Sequence, residues 1–158
     1  MKTEYPQAKF RLVGWLDSNP SAVTQDEIDA WQQEGIIDYL GKLEDVRPAI
    51  TSSRVYVLPS YREGTPRTVL EAMSMGRPII TTDAPGCRET VQNGVNGFLI
   101  PTRDSQALAQ AMLRFIAEPE LARKMGKESR RIAVEKYDVH KVNEVIMETM
   151  GLLVNDEQ

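Results

Sequence analysis

Val55-Tyr56-Val57-Leu58-Pro59-Ser60-Tyr61-Arg62-Glu63-Gly64-Thr65-Pro66-Arg67-Thr68-Val69-Leu70-Glu71-Ala72-Met73-Ser74-Met75-Gly76 is the stretch whose reading decides the fold. Val55 to Leu58 is a short apolar run, β-branched and aromatic, closed by Pro59, and reads as a buried strand. Thr65 is a good N-cap, and Pro66 suits the first helical position, where its missing N–H costs nothing. Val69, Leu70 and Met73 give the helix, over 66–75, an apolar face, and Gly76 followed by Pro78 ends it. A strand feeding a helix through a Gly-containing loop aims unpaired N–H groups and the positive end of a helix dipole at one spot. That spot suits a phosphate or diphosphate. Glu63 in the loop and Glu71, about two turns into the helix, flank it. Carboxylates accept hydrogen bonds from sugar hydroxyls, so the spacing suits a ligand with hydroxyls on both sides of a phosphate. A nucleotide sugar has that shape.

Two glutamates on a loop and a helix would, alone, be read as a solvated face. The surrounding string changes that reading. Glu63-Gly64-Thr65-Pro66-Arg67-Thr68-Val69-Leu70-Glu71-Ala72-Met73, followed by Gly76-Arg77-Pro78-Ile79-Ile80, resembles the paired-glutamate signature of retaining glycosyltransferases with the GT-B fold, family 4. In that family the seven residues between the glutamates are the donor-binding element. The resemblance runs over nearly the whole chain, from Tyr5 to Lys136-Tyr137-Asp138, and its motifs are specific in the middle and weak at both ends.

At 158 residues the chain is read as a single domain over 1–158, long enough to bury a core. Hydrophobic residues at 41% and charged residues at 27% are ordinary for a soluble globular protein. A net charge of -4 argues against a broad nucleic-acid footprint. Cys87, the one cysteine, permits no internal disulfide, and with one His140 leaves no transition-metal cluster to expect. No apolar run approaches a membrane span, and Met1-Lys2-Thr3-Glu4 opens nothing like a signal peptide. The expected location is cytoplasmic, with membrane contact at most peripheral, at the inner face.

Along the chain, Lys9 to Gly14 reads as a strand, and Asp17-Ser18-Asn19-Pro20 as a loop. Thr24-Gln25-Asp26-Glu27 is a capping box for a helix with Ile28 and Trp31 inside and Gly35 as its stop. Ile36 to Leu40 is a second strand, Gly41 to Asp45 a loop, and Asp45 the cap of a short helix through Ile50. After the central helix come a strand over Pro78 to Thr82, a turn at Asp83 to Gly86, a short helix around Arg88 to Val91, and a last strand at Phe98 to Ile100. Asp104 caps a helix with Leu108, Ala111, Met112 and Phe115 on one face. Pro119 opens another, through about Tyr137, and a final helix runs from about Val139 to Leu153. Strands alternating with helices predict an α/β fold, a Rossmann-like parallel sheet with helices on both faces. Ligands in such sheets sit at the carboxyl ends of strands, where loop 59–65 lies.

The resemblance implies roles for these residues. Glu71 accepts hydrogen bonds from the ribose hydroxyls; the bland alternative is an i,i+4 partner for Arg67. Glu63, the candidate catalytic residue, sits beside the transferred sugar and favours positive charge at the anomeric carbon; the alternative is a loop carboxylate satisfying local N–H groups. Gly64, Thr65, Pro66, Arg67, Thr68, Val69 and Leu70 form the donor-binding segment, their backbone N–H groups meeting sugar hydroxyls and the diphosphate. Gly41, Lys42 and Leu43 are candidate base-binding residues, and Asp83 to Cys87 lies at another strand's carboxyl end. Cys87 itself reads as a small buried residue rather than a nucleophile. Arg123, Lys127, Arg130 and Arg131 share one helical face, read as solvated, with an anionic-membrane contact as the alternative. The implied reaction moves a sugar from a nucleotide diphosphate donor, UDP-sugar or another, to a hydroxyl, with retained anomeric configuration. No metal or other cofactor is required in it.

A GT-B enzyme has two Rossmann-like domains with the acceptor between them, and this chain holds one. By the resemblance it would correspond to the C-terminal, donor-binding half, entered after that domain's opening strand and basic diphosphate clamp. The expected partners are a nucleotide sugar and the N-terminal acceptor domain, without which the chain transfers nothing. Two further readings stand beside this one: a non-catalytic nucleotide-sugar-binding module, or an inactive remnant that self-associates. Lys9 to Val13 and Val55 to Leu58 would flank an open slot in the order 3-2-1-4-5-6, so they either pair directly or a second copy fills the gap.

Overall fold

The computed structural model describes residues 4–19 and 21–152. Its packing divides the chain into two compact units, Met1–Ala49 and Ile50–Gln158.

In the first unit, β1 (Arg11–Leu12) pairs in parallel with β2 (Asp38–Tyr39), Arg11 opposite Asp38 and Leu12 opposite Tyr39. Both strands are shorter than the apolar runs that contain them. Single hydrogen bonds continue the contact, from Leu40 N–H to the Leu12 carbonyl (2.9 Å) and from Gly14 N–H to the Gly41 carbonyl (3.0 Å). Between them α1 (Gln25–Gln33) starts on the expected capping box. Thr24 N–H donates to Glu27 Oε2 (2.9 Å) and Glu27 N–H to Thr24 Oγ1 (3.3 Å). The backbone bond, then the hydroxyl, holds the Glu27 carboxyl below its ordinary range. Ile28 is buried, and Gly35, at φ +66°, turns the chain out of the helix. The chain passes into the second unit within α2 (Arg47–Thr51), which Asp45 caps through the Arg47 N–H (3.0 Å).

The second unit contains β3 (Tyr56–Leu58), α3 (Arg67–Ser74), β4 (Ile79–Thr82), a 3-10 turn (Arg88–Thr90) and β5 (Gly97–Ile100). α4 (Ser105–Ala117), α5 (Pro119–Lys136) and α6 (Val139–Thr149) follow. The sheet is parallel in the order β3-β4-β5, with Val57, Ile80 and Phe98 in one row. All four residues of β4 are buried, as a central parallel strand covered on both faces requires. Ile80, Phe98 and Ile100 pack with Ala111 and Phe115 of α4 and with Ala122 and Met125 of α5, the Phe98 and Phe115 rings 5.3 Å apart. Gly126 lets α5 lie against the end of α3, since a Cβ there would stand 2.2 Å from the Gly76 carbonyl oxygen. Cys87 is buried in the core.

Three expectations change. α3 starts at Arg67, with Pro66 rather than Thr65 at the N-cap (φ −73°, ψ 114°) and no side-chain cap. The Pro66 ring sets φ for a helix, but its extended ψ leaves only its carbonyl to begin the helical ladder, by accepting from Val69 and Leu70. Of the two outcomes expected at the slot, direct pairing does not form: the described strands make two separate sheets, and no ladder joins β1 to β3. α6 ends at Thr149 and buries none of its residues. The expected end at Leu153, like Pro20 of the first loop and Met1-Lys2-Thr3 of the opening, lies outside the described residues. No helix among the described residues is long and apolar enough to cross a membrane.

Candidate functional site

The site grows from the carboxyl ends of β3 and β4. Leu58 ends β3, and the loop through Pro59 and Ser60 is pinned by two hydroxyls from the neighbouring strand. Thr81 Oγ1 donates to the Leu58 carbonyl (2.8 Å), and Thr82 Oγ1 donates to the Ser60 carbonyl. Both threonines are buried, so these bonds are shielded from water. Ser60 Oγ then donates to Glu63 Oε1 at 2.7 Å and so holds the first carboxylate. The turn after β4 closes over the same loop. Glu63 N–H donates to the Pro85 carbonyl (3.3 Å), and Gly86, at φ +82°, lies so close that a Cβ would stand 2.1 Å from the Glu63 carbonyl oxygen. Asp83 to Cys87 therefore supports the loop by backbone contact.

Along the segment 63–71, Glu63, Gly64, Thr65 and Arg67 are exposed, Thr68, Leu70 and Glu71 half-buried, and Pro66 and Val69 buried. The side chain of Val69 belongs to the core. The N–H groups of Val69 and Leu70 are occupied by the Pro66 carbonyl, at 3.0 and 3.3 Å, and proline has none. Those of Gly64, Thr65, Arg67 and Thr68 have no acceptor among the described residues. Absence of a side-chain cap thus leaves donors open at the positive end of α3.

Glu71 Oε1 accepts from Arg67 Nε at 3.2 Å, with Arg67 almost fully exposed and Glu71 29% accessible. The i,i+4 pair foreseen as the bland alternative is therefore formed; in water such a pair contributes only a few tenths of a kcal/mol. Tyr56 links β3 to α3. Its hydroxyl donates to Thr68 Oγ1 at 2.7 Å, on the first turn of α3. Burial pushes that hydroxyl above its ordinary pKa; the Thr68 bond opposes the rise, and the charges of Glu71 and then Glu63 add to it. This half-buried phenol is held at the first turn of α3. Sequence reading gave no site role to Tyr56, Ser60, Thr81 and Thr82, whereas Gly86 lay within the Asp83 to Cys87 stretch it had placed at a strand's carboxyl end. It also passed over Arg103, at φ +62°, whose guanidinium lies 5.2 Å from the ring centre of the exposed Tyr61.

Gly41, Lys42 and Leu43 belong to the other unit. Gly41, at φ +65°, takes the Gly14 N–H on its carbonyl, and Tyr39 Oη donates to the Gly14 carbonyl at 2.9 Å. Lys42 Nζ stands 5.8 Å from the ring centre of Trp15, which is 73% exposed. Among the described residues no three His, Cys, Asp or Glu side chains cluster so as to hold a metal ion.

With this geometry in hand, comparison with known proteins is decisive about family. The chain belongs to the glycosyl transferases group 1 family, whose model matches residues 1–118. It is 31% identical over 132 residues to the Campylobacter jejuni N,N'-diacetylbacillosaminyl-diphospho-undecaprenol alpha-1,3-N-acetylgalactosaminyltransferase, across 84% of this chain and 34% of that protein. It is 25% identical over 147 residues to the capsular polysaccharide biosynthesis glycosyltransferase CapM of Staphylococcus aureus, across 93% of this chain and 37% of CapM. Among solved structures it superposes on Anabaena HepE in complex with UDP, with a TM-score of 0.80 and 29% identity, over 94% of this chain and 42% of HepE. The same protein with UDP-glucose gives 0.77. The fold is therefore one Rossmann-like half of the GT-B architecture. The chain spans about a third of the length of these curated relatives, 34% and 37%.

Proposed function

We propose that the chain is the nucleotide-sugar-binding domain of a retaining, family 4 glycosyltransferase acting in polysaccharide or glycolipid synthesis at the cytoplasmic face of a membrane. The observation that carries the reading is the uncapped start of α3, with four open N–H groups between Glu63 and Glu71. In this reading the N–H groups of Gly64, Thr65, Arg67 and Thr68 hold the donor diphosphate and sugar hydroxyls. Glu71 binds the ribose hydroxyls, exchanging its Arg67 partner for them, and the released guanidinium is free to meet phosphate. Glu63, oriented by Ser60, sits at the transferred sugar and stabilises charge at its anomeric carbon. The helix dipole and cationic side chains, rather than a metal, then stabilise the leaving diphosphate. Gly41, Lys42 and Leu43 contact the base. The relative that carries UDP-glucose supports UDP as the nucleotide.

Transfer needs an acceptor site, which this reading assigns to the remaining length of the full enzyme; the chain alone binds donor without turning it over. Calorimetry with UDP, GDP and their sugars tests the binding half. Glu71→Ala should weaken UDP binding by about 1.5–3 kcal/mol, and equal affinity for the variant would remove the ribose role. In the full-length enzyme Glu63→Ala should depress turnover far more than UDP affinity; comparable losses would move Glu63 to the nucleotide.

A further inference from the structure

A cavity of about 740 Å³ opens in the second unit, at the end of α3 away from the donor loop. The helix separates the two by about 12 Å, from its eight residues at 1.5 Å each. Five cations line the cavity, Arg54, Arg77, Arg123, Lys127 and Arg130, and no carboxylate does. That is a notable concentration in a chain of net charge -4.

The cations are not equivalent. Arg123 is exposed and paired with Glu120 at 2.7 Å. Arg130 Nη1 donates to the Ser74 carbonyl and Arg77 Nη2 to the Thr51 carbonyl, both at 2.9 Å. Two guanidinium groups are thus anchored by neutral acceptors, and the negative end of the α3 dipole offsets part of their charge. Nothing comparable accounts for Arg54 and Lys127, which form no ion pair among the described residues. Arg77 Nε is buried with no hydrogen-bond partner at all, a costly state for a charged group. Arg131, which shares the helical face in the sequence, is turned away into Glu128 and Glu135 and does not line the cavity. The basic face of α5 is therefore divided, one part neutralised internally and the other aimed with Arg54 and Arg77 into a single concavity.

We propose that this cavity is a second anion site, which takes a phosphate-bearing group. Guanidinium forks and an ammonium match phosphate oxygens in geometry and charge. Free diphosphate and a phospholipid headgroup share that chemistry. The site is independent of the donor reading, because none of its lining residues belongs to the Glu63 loop or to the first turn of α3.

The test is a titration of the full 158-residue chain with inorganic diphosphate, followed through backbone amide resonances. A parallel flotation assay uses phosphatidylcholine vesicles with and without phosphatidylglycerol. Arg54→Gln combined with Lys127→Gln removes the two unpaired charges and spares the Arg77 and Arg130 anchors, so it leaves the fold in place. Saturable shifts at residues 54, 77 and 123–130, weakened at least about tenfold in the double variant, establish the site with a free anion. Capture only by vesicles containing phosphatidylglycerol, lost in the double variant and kept in Arg131→Gln, establishes it with the lipid headgroup. Shifts confined to 63–71 report the donor loop and count against the cavity. Binding of neither probe, or undiminished binding by the double variant, overturns the proposal.

Discussion

Gly86 shows how one residue without a side chain holds a functional loop. It combines a left-handed backbone, φ +82°, with a contact too close for any Cβ, 2.1 and 2.2 Å from the carbonyl oxygens of Glu63 and Gly64. Gly94 shares the backbone conformation, φ +80°, with nothing within 4 Å. The pair separates two costs. Gly94→Ala should lose about 1–2 kcal/mol from backbone strain alone. Gly86→Ala should lose more, because the loop must also retreat, and UDP affinity should fall with it. Denaturation midpoints and UDP titrations of the two variants check this; matching losses of stability with unchanged affinity would mean that Gly86 does not position the loop.

Among the elements, α3 and α4 begin in opposite ways. α4 is capped by Asp104, which accepts the Ala107 N–H at 2.8 Å, and it carries Ala111 and Phe115 into the core. Asp104→Ala should cost about 0.5–2 kcal/mol, read as a lower urea midpoint at unchanged slope, and Asp104→Asn should recover most of it. A stability unchanged in Asp104→Ala would show that the α4 start is held by packing alone. α3 forgoes a side-chain cap, so its first N–H groups stay open beside Glu63 and Arg67. A Thr65 cap would have taken one of those donors.

For the whole molecule, the open question is what completes the sheets. β3 is laddered to β4 on one side only, and an unsatisfied strand edge is a template for pairing. α6 adds exposed Val139, Val145, Ile146 and Met147 in the same unit. We expect the isolated chain to self-associate, with its apparent mass rising with concentration in light scattering. A strict monomer at high concentration, with full UDP affinity, would sink that expectation. The isolated chain should also show no sugar transfer to any alcohol acceptor above background, and a measured turnover would reverse the assignment of acceptor binding to another part of the enzyme.

Local chemistry made much of this protein legible before any coordinates. The capping box at Thr24 and Glu27, the Asp104 cap, the α5 start at Pro119 and the buried run of β4 depend on neighbours within a few residues, and each stands where the pattern placed it. The loop-then-helix course of the Glu63 to Glu71 string was legible in the same way, though the helix starts at Arg67 on Pro66 rather than on a Thr65 cap. Long-range geometry was not legible. No local rule foretold that Pro85 and Gly86 would close on Glu63, that the Tyr56 hydroxyl would meet Thr68, or that two strands would belong to separate sheets. The α5 cations likewise formed one solvated face in the sequence. Only packing of α5 against the end of α3, through the Gly126 contact, set Lys127 and Arg130 beside Arg77 and turned Arg131 away. A side chain's periodicity says which way it leaves its own helix, and the neighbour it meets is decided by how the elements pack.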